Sequence, residues 1–221
     1  MMMQQENPMA NMSSDLYPDW YNAEHLTGTT IMAVEYDGGV IVGADARTTI
    51  GSYIANRITD KLTKVTDNIN CCHSGSATDT QAIADIVHYH LNLHKVQMGE
   101  EPLVKTATTV FQDLCYNYRD QLSAGIIVAG WDKKLKGHVY SAPLGGMCMS
   151  QPVTIGGSGN TYLYGHVDYT YKKNMTKDEC LKFVKNAVTL AIGRDGSSGG
   201  ICFLASIDKE GVHTRQAHCS A

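Results

Sequence analysis

Alternating apolar and polar positions from Thr29 onward predict a series of short strands joined by tight turns. The first strand covers Thr30–Tyr36, and Asp37-Gly38-Gly39 is a hairpin signal that returns the chain into a partner strand. Further strands are predicted over 40–44, 61–65, 69–72, 125–131, 138–142, 152–155, 201–207 and 212–217.

Three segments change to a helical period. The first follows Asp79 as N-cap, and the third begins at Thr176, which forms a capping box with Glu179. Asp195-Gly196 ends the third helix. The inner faces predicted for the first two helices are Ala82, Ile83, Ile86, Val87, His90 and Leu91, then Val110, Leu114, Cys115 and Tyr118.

The order of these elements is strands, two helices, strands, one helix, strands. It does not alternate β-α-β-α, so it argues against a doubly wound parallel sheet. The sequence predicts an α+β fold in which two antiparallel sheets stack face to face and helices cover the outside.

Composition narrows the class of protein. The chain has 221 residues, of which 43% are hydrophobic and 18% charged, and a net charge of −4. These values suit one large domain or two small ones and suggest no nucleic-acid partner. No apolar run approaches about 18 residues, so we expect no membrane span. The seven cysteines have no CxxC spacing, which predicts free thiols in a reducing compartment, with no metal and no cofactor.

Residues 1–28 differ from the rest of the chain. They are polar and Met-rich, contain Pro8 and Pro18, and show no sustained period. The first basic residue is Arg47, whereas secretory and mitochondrial signals need early basic residues. We therefore predict that residues 1–28 are a tail or a pro-segment, followed by a folded domain over residues 29–221.

Thr29 stands where this segment meets the first strand. Cleavage after Gly28 would give Thr29 a free α-amine, which can act as general base for the hydroxyl of the same residue. A β-branched residue that simply begins a strand is the ordinary alternative. Glycine before the scissile bond adds no bulk and permits a strained backbone.

Charged and glycine-rich segments supply further candidates. Asp45 and Lys61 are predicted near Thr29 at neighbouring strand ends, where a lysine lowers a hydroxyl pKa by its charge and an aspartate holds the lysine. A surface ion pair is the alternative. Ser74-Gly75-Ser76 lies at a strand-to-helix junction, where backbone amides can bind an oxyanion or merely form a turn.

Two other patterns indicate no functional site. The 196–200 segment has the spelling G-x-S-x-G, but a helix precedes it and a strand follows, which is the wrong order for a hydrolase elbow. His88, His90 and His94 fall on the first helix without a carboxylate partner, so they predict no metal site.

Several motifs in order resemble catalytic β subunits of the proteasome across residues 29–215, closest to the caspase-like branch, which cuts after acidic residues. They are Thr29-Thr30-Ile31-Met32-Ala33-Val34, Gly43-Ala44-Asp45-Ala46-Arg47, Asp60-Lys61-Leu62, Ser74-Gly75-Ser76-Ala77, Gly156-Gly157-Ser158-Gly159 and Arg194-Asp195-Gly196-Ser197-Ser198-Gly199-Gly200. The caspase-like branch is indicated by the segments at 54–57, 79–85 and 124–131.

The resemblance implies that residues 1–28 are a pro-segment removed on maturation. It implies that residues 29–221 form the catalytic domain, a four-layer αββα sandwich of the N-terminal-nucleophile hydrolase type. It implies that Thr29 is the nucleophile, exposed by autocatalytic cleavage after Gly28, while Lys61 lowers its pKa and Asp45 pairs with Lys61. The remaining roles that it implies are the oxyanion amide of Gly75, support of the amine and a water by Ser158, Asp195 and Ser198, a supporting Arg47, and substrate contacts by Thr48, Thr49, Thr59, His73 and Ala77.

The resemblance also implies partners and a location. The chain would act as a threonine endopeptidase on unfolded polypeptides, in stacked seven-membered rings with other β and α subunits, in the cytoplasm and nucleus. A structural ring subunit that keeps its pro-segment, or a self-processing amidase, is the alternative. The presence of Thr29, Asp45 and Lys61 argues against the structural subunit.

One residue departs from the caspase-like branch. His73 stands where that branch has an arginine in its specificity pocket. Because free histidine titrates near pH ~6.5, we expect a weaker and pH-dependent preference for acidic P1 residues, or a mixed preference.

Overall fold

The computed structural model of the protein describes residues 28–219. The predicted pro-segment therefore lies outside the described residues, apart from Gly28. Among the residues described, no helix is long and apolar enough to cross a membrane.

The first sheet has five antiparallel strands in the order β10-β1-β2-β11-β12. Its strands are β1 (Thr30–Tyr36), β2 (Gly39–Asp45), β10 (Val153–Gly157), β11 (Cys202–Asp208) and β12 (Gly211–Ala217). Because neighbours run antiparallel, the start of β1 lies beside the ends of β2 and β10.

The second sheet also has five antiparallel strands, in the order β5-β6-β7-β8-β9. They are β5 (Leu62–Thr66), β6 (Ile69–Gly75), β7 (Ala124–Asp132), β8 (Lys136–Ala142) and β9 (Met149–Ser150), while β3 (Thr48–Ile50) and β4 (Tyr53–Asn56) form a separate ribbon.

Four α-helices complete the described chain: α1 (Ala77–Met98), α2 (Val104–Asn117), α3 (Tyr164–Thr170) and α4 (Lys177–Arg194). A 3-10 helix, Ser158–Tyr162, follows β10 directly. Helices α1 and α2 bury their apolar residues against the second sheet, and α3 and α4 against the first.

A third apolar cluster lies between the sheets. Ile31 and Val42 from the first sheet share it with Cys72 and Ile127 from the second. The predicted α+β fold with four αββα layers is confirmed, because each sheet buries one face on helices and the other on its partner sheet.

Several local predictions need correction. The N-cap of α1 is Ser76, whose hydroxyl accepts from the Asp79 amide, because β6 runs directly into the helix at Gly75. Ala82, Ile86 and His90 are exposed, and the buried face of α1 instead contains Thr80 and Ala84. Tyr118 follows α2 as its C-cap and is also exposed. Local periodicity does not reveal which side of a helix a distant sheet covers.

The capping box at Thr176 is confirmed, with the Thr176 hydroxyl accepting from the Glu179 amide. In return, Glu179 accepts from the Thr176 amide at 2.9 Å. Asp195 is the C-cap of α4, as the stop signal predicted. The strands β3, β4 and β9 and the helix α3 were missed, since each is short and gives little periodic signal.

Candidate active site

The Gly28–Thr29 peptide lies where both sheets meet. Thr29 is 4% exposed and directly precedes β1. Its hydroxyl donates to the Gly28 carbonyl oxygen at 2.7 Å, and its nitrogen donates to Ser158 Oγ at 3.1 Å. With Gly28 attached, this nitrogen is an amide and has no basic lone pair.

Asp45 is the central anion of the site and is fully buried at the end of β2. Oδ1 accepts from the Thr30 amide at 2.9 Å, and Oδ2 accepts from the amides of Arg47 and Gly199 at 3.1 and 3.0 Å. These donors fix the orientation of the carboxylate.

Lys61 reaches Asp45 from the second sheet, one residue before β5. Its Nζ lies 2.6 Å from Asp45 Oδ1 and 3.5 Å from the Gly28 carbonyl oxygen. Burial lowers the pKa of Lys61, against the opposing charges of Asp45 and Asp195. A lysine with a lowered pKa is a candidate for proton chemistry.

A second polar cluster adjoins the Thr29 nitrogen. Ser158 Oγ donates to Asp195 Oδ2 at 2.7 Å, and Ser198 Oγ donates to the same oxygen at 2.6 Å. Burial raises the pKa of Asp195, but the hydrogen bonds from Ser198, Ser158 and the Ser197 amide outweigh it and hold the pKa below its usual value. Asp195 is therefore ionised near neutral pH.

The sequence analysis did not identify two parts of the site, the Thr30 hydroxyl and the Gly199 amide. Thr30 is fully buried, and its hydroxyl lies 2.7 Å from Ser198 Oγ. The Gly199 amide holds Asp45. The sequence signal for Thr30 is its hydroxyl next to Thr29 on a predicted strand. No local sequence feature indicates that the Gly199 amide binds Asp45.

The other predicted residues are placed around this centre. Arg47 Nη1 donates to the Gly196 carbonyl oxygen at 2.9 Å, and Thr49 Oγ1 accepts from the Gly28 amide at 2.9 Å. Thr48 Oγ1 donates to Thr59 Oγ1 at 2.9 Å. Ala77 is the first residue of α1.

Gly75 ends β6 with a φ of 105°. A Cβ there would lie 2.1 Å from the Ser123 carbonyl oxygen, so the position requires glycine. The part of Gly75 in binding an oxyanion stays a prediction.

His73 lies on β6 and its Nδ1 is 3.1 Å from Thr80 Oγ1. Burial, and then the charge of Lys61, lower the pKa of His73 to about 4. A charged imidazole in this partly buried site loses hydration and faces a cation, which argues against the pH-dependent P1 preference that an unshifted histidine would give.

One group of side chains with metal-ligand chemistry lies away from this centre. Among residues 28–219, the group that could hold an ion is Asp208, Glu210 and His213, at the hairpin between β11 and β12. Asp45 pairs with Cys202, the first residue of β11, whereas Asp208 is its last residue. The possible ion-binding group therefore lies at the opposite end of the first sheet from Asp45. Asp208 also forms an ion pair with Lys177, whose Nζ lies 2.8 Å from Oδ2.

A cavity of about 910 Å³ opens between the sheets beside the site. Gly156 and Gly157 of β10 line it, but Asp45, Lys61 and Asp195 do not. The hydroxyl of Thr154, buried in its wall, has no hydrogen-bond partner among the described residues. The cavity is therefore separate from the polar centre around Thr29.

Comparisons with known proteins agree with this architecture. The family model described as "Proteasome subunit" matches residues 25–207. The chain is 57% identical to proteasome subunit beta type-6 of Dictyostelium discoideum, over 90% of this chain and 92% of the relative.

Two further relatives extend the likeness. The chain is 55% identical to proteasome subunit beta type-1 of Saccharomyces cerevisiae, over 84% of this chain and 86% of the relative. It is 46% identical to proteasome subunit beta type-9 of Oncorhynchus mykiss, over 92% of this chain and 94% of the relative. With such identity over nearly the whole chain, and a family model covering most of it, this protein belongs to the proteasome β-type subunit family.

Proposed function

We propose that the protein is a threonine endopeptidase of the proteasome core particle, made as a zymogen that frees Thr29 by cutting itself after Gly28. The observation that carries this proposal is the buried Lys61–Asp45 ion pair, whose lysine nitrogen lies 3.5 Å from the Gly28 carbonyl oxygen. A merely structural strand end would have no need of a buried charge pair there, because burying charges is costly.

The self-cleavage step follows from these contacts. The Thr29 oxygen attacks the Gly28 carbonyl carbon, and the hydroxyl proton passes to the Thr29 nitrogen as the peptide bond breaks. Negative charge that develops on the Gly28 oxygen is stabilised by the Lys61 cation. Water then hydrolyses the resulting ester, which releases residues 1–28 and regenerates the hydroxyl.

The mature enzyme would use the new α-amine as general base for the Thr29 hydroxyl. Ser158 holds this nitrogen, and Asp195 orients Ser158 and Ser198 by accepting from both hydroxyls. Lys61 favours the ionised Thr29 oxygen through its charge. The Gly75 amide would stabilise the oxyanion of the substrate.

Specificity is proposed to depend on the tautomer of His73. The Thr80 hydroxyl has a single proton and lies within reach of the carbonyl oxygens of Ser76 and Ala77, at 2.9 and 3.1 Å, as well as of His73 Nδ1 at 3.1 Å. We propose that this proton is donated to the carbonyl oxygens and that the hydroxyl accepts from His73, which would put the imidazole proton on Nδ1 and leave Nε2 as an acceptor.

A neutral acceptor gives a P1 carboxylate no cation to pair with, unlike an arginine. We therefore propose a mixed P1 preference, in which neutral side chains are accepted as well as acidic ones. Thr48, Thr59 and Ala77 would complete the substrate contacts, and Thr49 would contact the substrate backbone once Gly28 has left.

The named relatives support a proposal about partners. Each is a β-type proteasome subunit. We propose that this chain assembles with other β and α subunits in stacked seven-membered rings and acts on unfolded polypeptides in the cytoplasm and nucleus. No nucleic acid, membrane or cofactor is part of the proposal.

The deciding experiment is the intact mass of this chain in purified, assembled particles. The proposal expects a chain that begins at Thr29, whereas the full chain has a mass of 24.1 kDa. A Thr29→Ala variant is the control and should keep residues 1–28. Assembled wild-type particles in which the chain retains residues 1–28 would leave the amine blocked and indicate a structural subunit instead.

A further inference from the structure

Small residues on β10 leave a cavity between the two sheets. Thr154 and Gly156 pair with Ala33 and Ile31, which belong to the apolar cluster between the sheets, so all four residues face the same inter-sheet space. Because packed sheets lie about 10 Å apart, a threonine and a glycine do not reach across to the opposite sheet. The cavity of about 910 Å³ therefore lies where larger side chains would otherwise fill the core.

The facing wall of the cavity is also built from small residues. Ile127 of β7 belongs to the inter-sheet cluster, and Gly125, two residues earlier, lies on the same face of that strand. Ser141 of β8 pairs with Ile127 and lines the cavity as well. Since β9 and β10 are the edge strands of their sheets, no further strand within residues 28–219 closes this side of the sandwich.

The wall contains a hydroxyl whose hydrogen bonding is not satisfied. Thr154 is 4% exposed, and its Oγ1 has no hydrogen-bond partner among the described residues. An unpaired buried hydroxyl is costly, and a threonine hydroxyl can both donate and accept. Because the side chain faces the cavity, a ligand hydroxyl placed there would pair with Thr154 after, at most, a change of its χ1 rotamer.

Helix α3 forms the rim of the cavity. Tyr164 and Asp168 are exposed and four residues apart, so they lie on the same side of the helix. Among the described residues that line the cavity, Asp168 is the only one with a charged side chain. The other walls are mainly aliphatic and aromatic, with a few hydroxyl and amide groups. A complementary ligand has an aromatic or apolar body and a positive charge near α3.

We propose that this cavity binds a small aromatic amine. The ring lies between the sheets, a hydroxyl group on it bonds to Thr154, and the protonated amine lies near Asp168. The volume falls within the range of about 300 to 1,000 Å³ that is usual for sites of small organic ligands. Since Asp45, Lys61 and Asp195 do not line the cavity, this binding site is separate from the proposed catalytic centre.

The first test compares matched probes by saturation-transfer NMR on purified, assembled particles. Tyramine has a phenol hydroxyl and a protonated amine, phenethylamine lacks the hydroxyl, and 3-(4-hydroxyphenyl)propionate has a carboxylate in place of the amine. We expect tyramine to bind most tightly and the propionate most weakly, with a millimolar Kd for tyramine, as is usual for a ligand of about ten non-hydrogen atoms. A propionate that binds as tightly as tyramine, or absence of tyramine binding, would overturn the proposal.

The second test locates the binding site with variants. Thr154→Val removes the hydroxyl, and it should weaken tyramine binding about fivefold, the effect of one hydrogen bond, while phenethylamine binding stays the same. Asp168→Asn should weaken the binding of both amines roughly two- to fivefold, as expected for an exposed ion pair. Asp113→Asn, at an exposed position of α2 outside the cavity, is the matched control and should change none of the affinities. Wild-type tyramine affinity in both the Thr154→Val and the Asp168→Asn particles would place the ligand elsewhere and refute the proposal.

Discussion

Lys61 Nζ and Asp45 Oδ1 lie 2.6 Å apart, and the two side chains are 4% and 0% exposed. The lysine directly precedes β5 of the second sheet and the aspartate ends β2 of the first, so the ion pair links the two sheets next to the Gly28–Thr29 bond.

Replacement of Lys61 by alanine tests this pair. We expect Lys61→Ala to leave the chain uncut after Gly28 and to lower peptidase activity by about 100-fold or more, as is usual when a group that assists proton transfer is lost. Intact mass and peptide hydrolysis measure both effects. Lys64→Ala, which removes an exposed lysine of β5, is the control and should be processed and active. A processed, active Lys61→Ala particle would overturn the mechanism.

The Ser158 hydroxyl links the Thr29 nitrogen to Asp195. Ser158→Ala should lower kcat by roughly 10- to 100-fold with a smaller change in KM, because it disturbs the base rather than substrate binding. Ser150→Ala removes an exposed hydroxyl that contacts His138 and should keep full activity. Steady-state kinetics on assembled particles distinguish the two variants. A Ser158→Ala kcat equal to that of wild type would remove Ser158 from the mechanism.

Gly28 has no room for a side chain. A Cβ there would lie 1.8 Å from the Ser197 Cβ, so Gly28→Ala must displace the backbone before the scissile bond. We expect slower self-cleavage, seen as uncut chain in a pulse-chase experiment. Gly193→Ala is the matched control, since a Cβ at that helical position meets nothing within 4 Å. Equal processing rates for the two variants would contradict the requirement for glycine.

The proposed role of His73 in specificity predicts how cleavage depends on pH. Its pKa of about 4 keeps it neutral from pH 6 to 8, so the ratio of cleavage after Glu to cleavage after Leu should stay constant across that range. His73→Arg should raise this ratio about tenfold by restoring a permanent cation. Fluorogenic peptides measure the ratio. A ratio that falls severalfold between pH 6 and 8 would show that His73 titrates near neutrality after all.

The same residue affects stability in acid. An unfolded histidine takes a proton near pH ~6.5, whereas folded His73 takes one only near 4, so the unfolded state binds more protons between these values. Stability should therefore fall as the pH drops from about 6.5 to 4. In calorimetry of assembled particles, His73→Gln should lose less Tm between pH 7 and 5 than wild type. His213→Gln, at a half-exposed position, should behave like wild type.

Much of the fold could be predicted from local pattern. The strand Thr30–Tyr36 and the capping box of α4 agree with the structure, because period-two alternation and helix capping depend on neighbours in sequence. The buried face of α1 was partly wrong, since Ile86 and His90 are exposed. That face depends on where the second sheet lies, which no local pattern records.

For the candidate site, too, some features could be predicted from the sequence and others depended on tertiary structure. The sequence by itself predicted the Gly28–Thr29 junction and the acidic end of β2 from contiguous residues with distinctive chemistry, and the Asp195–Gly200 segment through its resemblance to proteasome β subunits. Only the tertiary structure decided that Lys61 meets Asp45, and that Ser158 and Ser198 both donate to Asp195. Desolvation and charge–charge contact set the state of each of these groups, and both depend on segments that are distant in sequence and become neighbours only when the sheets stack.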